Sequence, residues 1–190
     1  VNNAGYSQSG AIEDLPMESI RRQFETNVFG LIRMSQLVLP GMREQRAGRI
    51  VNIGSMGGKL SFPGGGIYHA TKYAVEAISD VLRFEVSNFG VKVVLVEPGL
   101  IKTNFADAAL SHMDTPSQTD GAYDDFNAAV AKNTAAVYEN PLYARLGGGP
   151  DDVAKVIEKA IMSDKPKTRY PVTVSAYAFM GQRKLMTDRM

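Results

Sequence analysis

Two β-branched segments with a helical segment between them constrain the fold of this chain most strongly. Residues 48–55 form a β-branched run that stops at a Gly-Ser pair, and residues 92–99 form a second run that stops at Pro-Gly. Both runs are predicted to be strands, and a helix is predicted between them, from about residue 68 to residue 89. Because a strand, a helix and a strand in this order form a right-handed crossover, the two strands are expected to be parallel. The sequence therefore predicts an α/β protein with a parallel sheet.

Three polar side chains are predicted to meet at one edge of this sheet. Ser55 stands at the end of the first strand, and Tyr68 stands near the start of the helix that leaves the same edge. Lys72 follows Tyr68 by four residues and therefore shares its helical face. Since ligands of parallel sheets bind beyond the carboxyl ends of the strands, we expect a functional site that contains Ser55, Tyr68 and Lys72.

The Tyr68–Lys72 pair is suited to proton transfer. A tyrosine with a pKa near 10 is mostly protonated at neutral pH and is a poor base. A cation beside it favours the phenolate and lowers that pKa, so the pair can act as a general acid and base near neutral pH. The competing explanation is an aromatic ring packed on a solvated lysine, since such a pair also arises by chance.

Four segments, in order and spacing, resemble the short-chain dehydrogenase/reductase family, in its single-domain branch. Residues 2–5 (NNAG) are similar to the family's turn after its fourth strand, and Asn27 is similar to its helix asparagine. The serine, tyrosine and lysine described above match its catalytic residues, and residues 98–103 (PGLIKT) are similar to its cofactor loop. The resemblance covers residues 1–105.

This resemblance implies an NAD(P)-dependent oxidoreductase that transfers a hydride between NAD or NADP and a carbonyl or secondary alcohol substrate. Tyr68 would exchange a proton with the substrate oxygen, and Ser55 would donate a hydrogen bond to that oxygen. Lys72 would hold the phenolate and bind the nicotinamide ribose, and Asn27 would anchor a water that leads to Lys72. The residues implied to bind the cofactor are Asn2, Ala4, Gly5, Tyr68, Lys72, Pro98, Gly99, Ile101 and Thr103.

Asn27 is also expected to be buried on the grounds of periodicity. Residues 16–45 are predicted to form one long helix, and apolar residues recur along it at near-helical spacing. The residues that mark this face are Ile20, Phe24, Leu31 and Val38. Asn27 joins the face, and a buried amide must be hydrogen-bonded. Satisfaction by a neighbouring backbone is the simpler explanation, and a water-anchoring role is the one that the family implies.

The glycine-rich, phosphate-binding turn of the family has no counterpart in the sequence. The triple glycines at 64–66 and 147–149 do not follow a β-branched run. We therefore expect a single domain over residues 1–190 that is N-terminally incomplete, the C-terminal two-thirds of a doubly wound parallel-sheet Rossmann fold. The residue that selects NAD or NADP would lie in the missing part, so both cofactors remain open.

The second half of the chain carries weaker patterns. Residues 104–149 have no clear period and are expected to form a substrate-binding loop or lid, with some helix around residues 123–138. Pro150 and the acids after it open a helix, and residues 169–174 are predicted as a last strand. Residues 176–190 form a helix-prone tail whose methionines favour packing or a pocket wall over a membrane anchor.

The helix after Tyr68 carries a broad apolar surface. One stripe consists of Ala70, Ala74, Ala77 and Val81, and a second consists of Val75, Ile78 and Leu82. A helix on the outside of a sheet needs only one apolar face. The second stripe therefore favours a partner subunit, in a homodimer or a homotetramer, over the alternative of a thick intramolecular core.

Composition narrows the possible partners and compartments. The net charge of +1 gives no reason to expect binding to nucleic acid or to an anionic membrane, and no apolar run is long enough to span a bilayer. The absence of cysteine fits a reducing compartment, and a cytoplasmic location is predicted. His69 and His112, the only histidines, are not at ligand spacing, so no metal site is expected.

Two alternatives to the oxidoreductase remain. Sugar-nucleotide epimerases and dehydratases also use a Tyr-x-x-x-Lys pair, but their C-terminal domain is usually larger than the segment after Thr103. A non-catalytic binding or regulatory module is the other alternative, favoured if the chain truly lacks a phosphate-binding loop.

Overall fold

A parallel sheet of three strands, in the order β1-β2-β3, forms the centre of the molecule. The computed structural model describes residues 1–113 and 117–186. Strands β1 (Gly48–Ile53), β2 (Val91–Pro98) and β3 (Arg169–Val172) pair in parallel, with Gly48 opposite Val91. The predicted strands and their parallel pairing are confirmed.

The first residues of the chain lie beside β1, on the side away from β2. The Asn2 N–H donates to the Val51 carbonyl at 2.8 Å, and the Ile53 N–H donates to the Asn2 carbonyl at 3.0 Å. The Asn2 side chain donates to Asn52 Oδ1 at 2.8 Å. The segment that leads into residues 3–5 is thereby held at the carboxyl end of β1.

Both faces of the sheet are covered by helices, which explains why the strands are almost continuously apolar. Successive side chains of a strand point to opposite faces. Val51, Val94 and Val96 pack on one face against Ala160 of α7 (Pro150–Met162). On the other face, Leu95 packs with side chains from α2 (Gly30–Glu44) and α3 (Gly66–Glu85). The expected α/β fold with a Rossmann-type sheet is confirmed.

The predicted long helix exists, but a π-helical turn interrupts it. Helix α1 (Met17–Phe24) continues through a π turn at Glu25–Phe29 into α2. A π turn adds one residue to a helical turn, which changes the face that later residues present. After it, the inward positions are Leu31, Ser35 and Leu39, and the prediction that Val38 is buried is wrong, since 38% of it is exposed.

Helix α3 presents one of its two apolar stripes to the surface. Val75 is fully buried, and its neighbours Ile78 and Leu82 pack into the core. In the small-residue stripe, Ala74 is half-buried, whereas Ala70, Ala77 and Val81 are exposed. The alternative of a thick core around both stripes is therefore not what the structure shows.

Residues 104–149 contain more helix than the sequence patterns predicted. Within this segment lie α4 (Phe105–Ser111), α5 (Asp124–Glu139) and α6 (Pro141–Leu146), and residues 114–116 lie outside the described residues. Helix α5 lacks a strong apolar period, but its many alanines favour helix and its first turn holds two acids. The helix expected around residues 123–138 is confirmed by α5, whereas α4 and α6 were not predicted, and a role as lid stays a prediction.

The remaining predicted elements are present, although the last strand is shorter than predicted, since it ends at Val172 and a helix begins at Val174. Helix α7 begins at Pro150, β3 follows, and α8 (Val174–Leu185) occupies the predicted helical tail. Residues 187–190 of that tail lie outside the described residues. In the described ranges, no helix combines the length and the apolar character needed to cross a membrane.

Candidate active site

A cavity of about 840 Å³ opens at the carboxyl ends of β1 and β2. Its lining includes Ser55, Tyr68 and Lys72, so the structure brings the three predicted catalytic residues to one place. Ser55 follows β1, whereas Tyr68 lies in the first turn of α3 and Lys72 in the second. The crossover from β1 through α3 to β2 therefore assembles this group.

The Lys72 side chain is a buried cation at the carboxyl end of β1. Only 7% of the residue is exposed, and its Nζ donates to the Ile53 carbonyl at 2.9 Å. The Nζ atom lies 5.8 Å from the centroid of the Tyr68 ring. Burial penalises the charged amine and lowers the pKa of Lys72 to about 8.

Tyr68 and Ser55 are positioned by contacts with residues around them. The Tyr68 ring contacts the rings of His69 and Phe105, with centroids 5.7 and 5.6 Å away. Ser55 Oγ accepts a hydrogen bond from the Gly57 N–H at 3.0 Å and so caps a 3₁₀ turn at Met56–Gly58. A serine hydroxyl that accepts this bond can still donate its own proton toward the cavity.

Asn27 lies in the π turn, behind the cavity rather than in its lining. Its amide donates to the Tyr6 carbonyl at 2.9 Å and to Thr71 Oγ1 at 3.1 Å. Its Oδ1 accepts from the Tyr6 N–H at 3.1 Å. These bonds satisfy the amide, as in the simpler explanation of its burial. The water-anchoring role stays a prediction.

The predicted cofactor residues divide into two groups. Gly5, Pro98, Gly99, Ile101 and Thr103 line the cavity, as do Tyr68 and Lys72. Asn2 and Ala4 do not line it, and Asn3 does. The Asn2 side chain is bonded to Asn52 instead, and in an extended segment the next residue then points the other way.

The loop after β2 is seated tightly on the start of α8. The Gly99 N–H donates to the Val172 carbonyl at 3.0 Å, and the Leu100 N–H donates to Ser175 Oγ at 3.0 Å. A Cβ on residue 99 would overlap Ser175 Oγ and would lie 2.5 Å from Thr173 Oγ1. Glycine is therefore required at this position.

Comparison with known proteins agrees with this geometry. The family model of the short chain dehydrogenases matches residues 1–114. The chain belongs to the short-chain dehydrogenase/reductase family.

Two curated relatives of this short-chain dehydrogenase/reductase show the extent of the likeness. An uncharacterized oxidoreductase of Escherichia coli (strain K12), YbbO, is 36% identical over 190 residues, which are all of this chain and 63% of that protein. An NADPH-dependent 3-dehydrocapnine reductase of Ornithobacterium rhinotracheale is 35% identical over 194 residues, with 100% of this chain and 66% of that protein covered. The chain thus spans just under two thirds of each relative's length.

Solved structures give the same result. A short-chain dehydrogenase from Streptomyces avermitilis has a TM-score of 0.75 at 35% identity, with 96% of this chain and 62% of that chain covered. A family member from Burkholderia phymatum, solved in complex with NAD, has a TM-score of 0.70 at 26% identity, with coverages of 97% and 63%. A serine dehydrogenase complexed with NADP⁺ has a TM-score of 0.67 at 26% identity, with coverages of 90% and 62%.

His69 is a site residue that the sequence reasoning did not assign. Its ring is buried and bridges α3 to the loop after β1. The Phe62 N–H donates to its Nε2 at 3.0 Å, so its Nδ1 carries the proton and donates to the Gly57 carbonyl at 3.0 Å. Burial lowers the pKa of His69, which fits this neutral ring. The glycine pair at residues 57–58 is a sequence signal that the His69 ring approaches the backbone closely there, since a Cβ on Gly57 would lie 2.7 Å from His69 Nδ1.

The sequence predicted a substrate-binding segment at residues 104–149 and packing or a pocket wall for the tail, but not which residues line the cavity. Five of the apolar lining residues are grouped under the name apolar wall: Phe62, Phe105, Val130, Val137 and Phe179. They come from the loop before α3, from α4, from α5 and from α8. No local pattern reveals such a wall, because its members meet only in the folded chain.

The described part of the chain holds no group of three or more His, Cys, Asp or Glu residues placed to bind a metal ion.

Proposed function

We propose that this chain carries the catalytic site of an NAD(P)-dependent oxidoreductase that acts on a carbonyl or secondary alcohol substrate. The observation that carries the proposal is the buried Lys72 cation beside the Tyr68 ring, in a cavity that Ser55 also lines. Membership of the short-chain dehydrogenase/reductase family supports it. It also favours an oxidoreductase over the epimerase or dehydratase alternative, since the curated relatives named above are oxidoreductases.

The residues present fit the nicotinamide end of a dinucleotide. The backbone of Gly5 passes close to the cation, because a Cβ there would lie 3.2 Å from Asn27 Oδ1 and 3.8 Å from Lys72 Nζ. An ammonium group has three donors, and one of them is bonded to Ile53. The other two can bind ribose hydroxyls, and Pro98, Ile101 and Thr103 would complete this side of the cavity.

NAD or NADP would supply the hydride when it is bound at this site. In the reductive direction, the Tyr68 hydroxyl gives its proton to the substrate oxygen, where negative charge develops. Ser55 donates a hydrogen bond to the same oxygen and stabilises that charge. In the oxidative direction, the Tyr68 phenolate accepts the alcohol proton, and the positive charge of Lys72 favours the phenolate.

Asn27 would contribute indirectly, by holding a water from which Tyr68 regains its proton through Lys72. The position of its Oδ1 supports this, since both Oδ1 and Lys72 Nζ lie within 4 Å of the position that a Cβ on residue 5 would occupy. A carbonyl oxygen has two lone pairs, and the bond from Tyr6 uses one of them.

We further infer that the enzyme acts as a homodimer or a homotetramer. The apolar stripe on the exposed face of α3 supports this, and so do the exposed Met34 and Leu37 of α2. The cytoplasmic location predicted from the sequence remains a prediction.

Replacement of Tyr68 by phenylalanine tests the proposed chemistry. Tyr68→Phe removes only the acidic hydroxyl, so turnover should fall by about 10² to 10⁴-fold, the usual contribution of general acid–base catalysis. Turnover is measured from the absorbance of the reduced cofactor, and cofactor affinity is measured by calorimetry and should be little changed. Tyr73→Phe is the matched control, because Tyr73 lies on the exposed side of the same helix.

A Tyr68→Phe variant that keeps more than half of the wild-type turnover would contradict the assignment. A wild-type protein that binds the cofactor but converts no ketone or alcohol would instead favour the non-catalytic binding module.

A further inference from the structure

The apolar wall is built from elements that contact one another. The rings of Phe62 and Phe179 meet edge to face, with their centroids 6.3 Å apart. Val130 packs directly against Gly64, whose carbonyl accepts a hydrogen bond from the Gly10 N–H at 2.8 Å. These contacts join the loop before α3 to α5 and α8.

One end of the wall lies beside the reacting group. The Phe105 ring is tilted against the Tyr68 ring, with centroids 5.6 Å apart. The ring of His69, 5.7 Å from the Tyr68 ring, lies 5.8 Å from the Phe62 ring. A substrate whose oxygen is bonded to Tyr68 and Ser55 would therefore place the rest of its body against apolar side chains.

The charges around the cavity exclude many substrates. Among the described residues that line it, Lys72 alone is charged, and there is no arginine, aspartate or glutamate. His69 is neutral, and both of its ring nitrogens are bonded to the protein. Asn133 and Thr134 offer neutral hydrogen-bonding groups on the α5 side. A carboxylate or phosphate placed against the apolar wall would thus lose its water without gaining a counter-ion from the wall residues, which is costly.

We propose that the substrate is a neutral ketone or secondary alcohol with an extended apolar body that packs against the apolar wall. This inference rests on the proposed function and adds the chemical class of the substrate. The substrate oxygen is bonded to Tyr68 and Ser55, and specificity arises from the wall.

A homologous series of ketones tests the substrate class. With 2-butanone, 2-hexanone and 2-octanone, kcat/KM should rise with chain length by up to about fourfold for each buried methylene group. The matched charged probe is 7-oxooctanoate, in which a carboxylate replaces the terminal methyl group of 2-octanone. Its kcat/KM should be at least about tenfold lower than that of 2-octanone, because the carboxylate would lie at the wall. A flat series, or an equal or better rate with 7-oxooctanoate, would overturn the proposal.

A paired substitution on α5 tests the wall itself. Val137→Asn puts an amide of similar size at the lining and should lower kcat/KM for 2-octanone by about tenfold. It should change kcat/KM for 2-butanone by less than about twofold, because that ketone is too short to reach far along the wall. Ala129→Asn, on an exposed position of the same helix, is the control and should change neither rate. An equal loss with both ketones in Val137→Asn would contradict the role of the wall.

Binding to an inactive variant separates this inference from the proposed function. Calorimetry with the cofactor-saturated Tyr68→Phe variant compares 2-octanone and 7-oxooctanoate without turnover. If wild-type protein converts neither ketone and the variant still prefers 2-octanone, the proposed function fails and the apolar site stands. If the wild type converts ketones but the variant prefers 7-oxooctanoate, the proposed function stands and this inference fails.

Discussion

Burial makes Lys72 an unusual lysine. Its pKa is lowered to about 8 because the charged amine loses its water. The folded protein therefore binds fewer protons at this site than the unfolded chain between pH 8 and the ordinary lysine pKa of about 10.4. The free energy of unfolding gains a contribution that rises with pH across this window, and the cation that supports the Tyr68 phenolate is lost as the pH rises through 8.

NMR titration of the lysine side chains checks this value. In ¹³C spectra of the cofactor-free protein, one lysine Cε resonance should titrate with a pKa of about 8, and it should be missing in Lys72→Arg. Exposed lysines such as Lys92 and Lys155 provide the internal reference. A Lys72 resonance that titrates near 10.4 would show that the ammonium is solvated and that the proposed site is open.

His69 holds the loop after β1 against α3 with two hydrogen bonds. His69→Ala would leave the Gly57 carbonyl and the Phe62 N–H without their partner, at a cost of about 1–3 kcal/mol for a buried group and less for the Phe62 N–H, which is only partly buried. We therefore expect the free energy of unfolding to fall by about 2–4 kcal/mol in total. Urea denaturation at pH 7.5 measures this, and a loss below about 0.5 kcal/mol would mean that water replaces the ring.

The reactive residues could be predicted from the sequence because local rules place them. Ser55 follows a strand, and Tyr68 and Lys72 are one helical turn apart on the same helix. The placement of these three residues therefore follows from local structure and not from distant contacts. The sequence could not predict that Asn3 lines the cavity instead of Asn2, because this depends on the pairing of Asn2 with Asn52. The part played by His69 was also hidden, since both of its partners lie in a loop without a regular pattern.

At the scale of elements, a buried pair of carboxyl groups links α3, β2 and β3. Glu76 of α3 forms ion pairs with Lys59 at 2.6 Å and with Arg169 of β3 at 3.0 Å. Glu97 of β2 lies 3.8 Å from Arg169 and is almost fully buried. Burial and the nearby Glu76 carboxylate raise the pKa of Glu97 to about 7. Since Glu76 lies one turn after Lys72 and Glu97 directly before Pro98, the pair connects the two elements that form the site.

Glu97→Gln should change how stability depends on pH. Because the pKa of Glu97 is raised from about 4.5 to about 7 on folding, the folded protein holds the extra proton in this window. The Glu97 contribution to the free energy of unfolding therefore falls as the pH rises from 4.5 through 7. Glutamine stays neutral, so the variant should lose less stability than the wild type between pH 5 and pH 8. Urea denaturation at both pH values measures the difference, and parallel losses in the two proteins would contradict the raised pKa.

Element boundaries show where periodicity is informative and where it is not. The strands and α3 could be predicted because each buries a regular face against the sheet. The interior π turn was not visible, and it is the reason that Val38 lies outside the core and Leu39 inside it. Helix α5 lies where some helix was expected, around residues 123–138, although its apolar residues show no clear period. Its lining residues Val130 and Val137 are two helical turns apart, which is too short a stripe to recognise alone.

At the scale of the whole molecule, the two helices that cover one face of the sheet, α2 and α3, both expose large apolar side chains. Helix α3 exposes Val81 and Phe84, with 56% and 80% of their surfaces accessible, and α2 on the same side exposes Met34 and Leu37. Patches of exposed apolar surface of this kind mark sites of protein association. Since a two-fold symmetric interface buries the same patch on both copies, this side is the one that we expect to carry the interface.

A charge at Phe84 tests this arrangement. Phe84→Glu places a carboxylate in the proposed interface, where it would be desolvated without a partner, so the equilibrium should shift toward monomers. Met162→Glu is the matched control, because Met162 is equally exposed, at 76%, but belongs to α7 on the other face of the sheet. Sedimentation equilibrium of the wild type should give a dimer or a tetramer, which Met162→Glu retains and Phe84→Glu loses. A monomeric wild type would contradict the expected oligomer. An oligomer that survives Phe84→Glu unchanged would instead place the interface elsewhere, and the exposed side of α3 would then need another explanation.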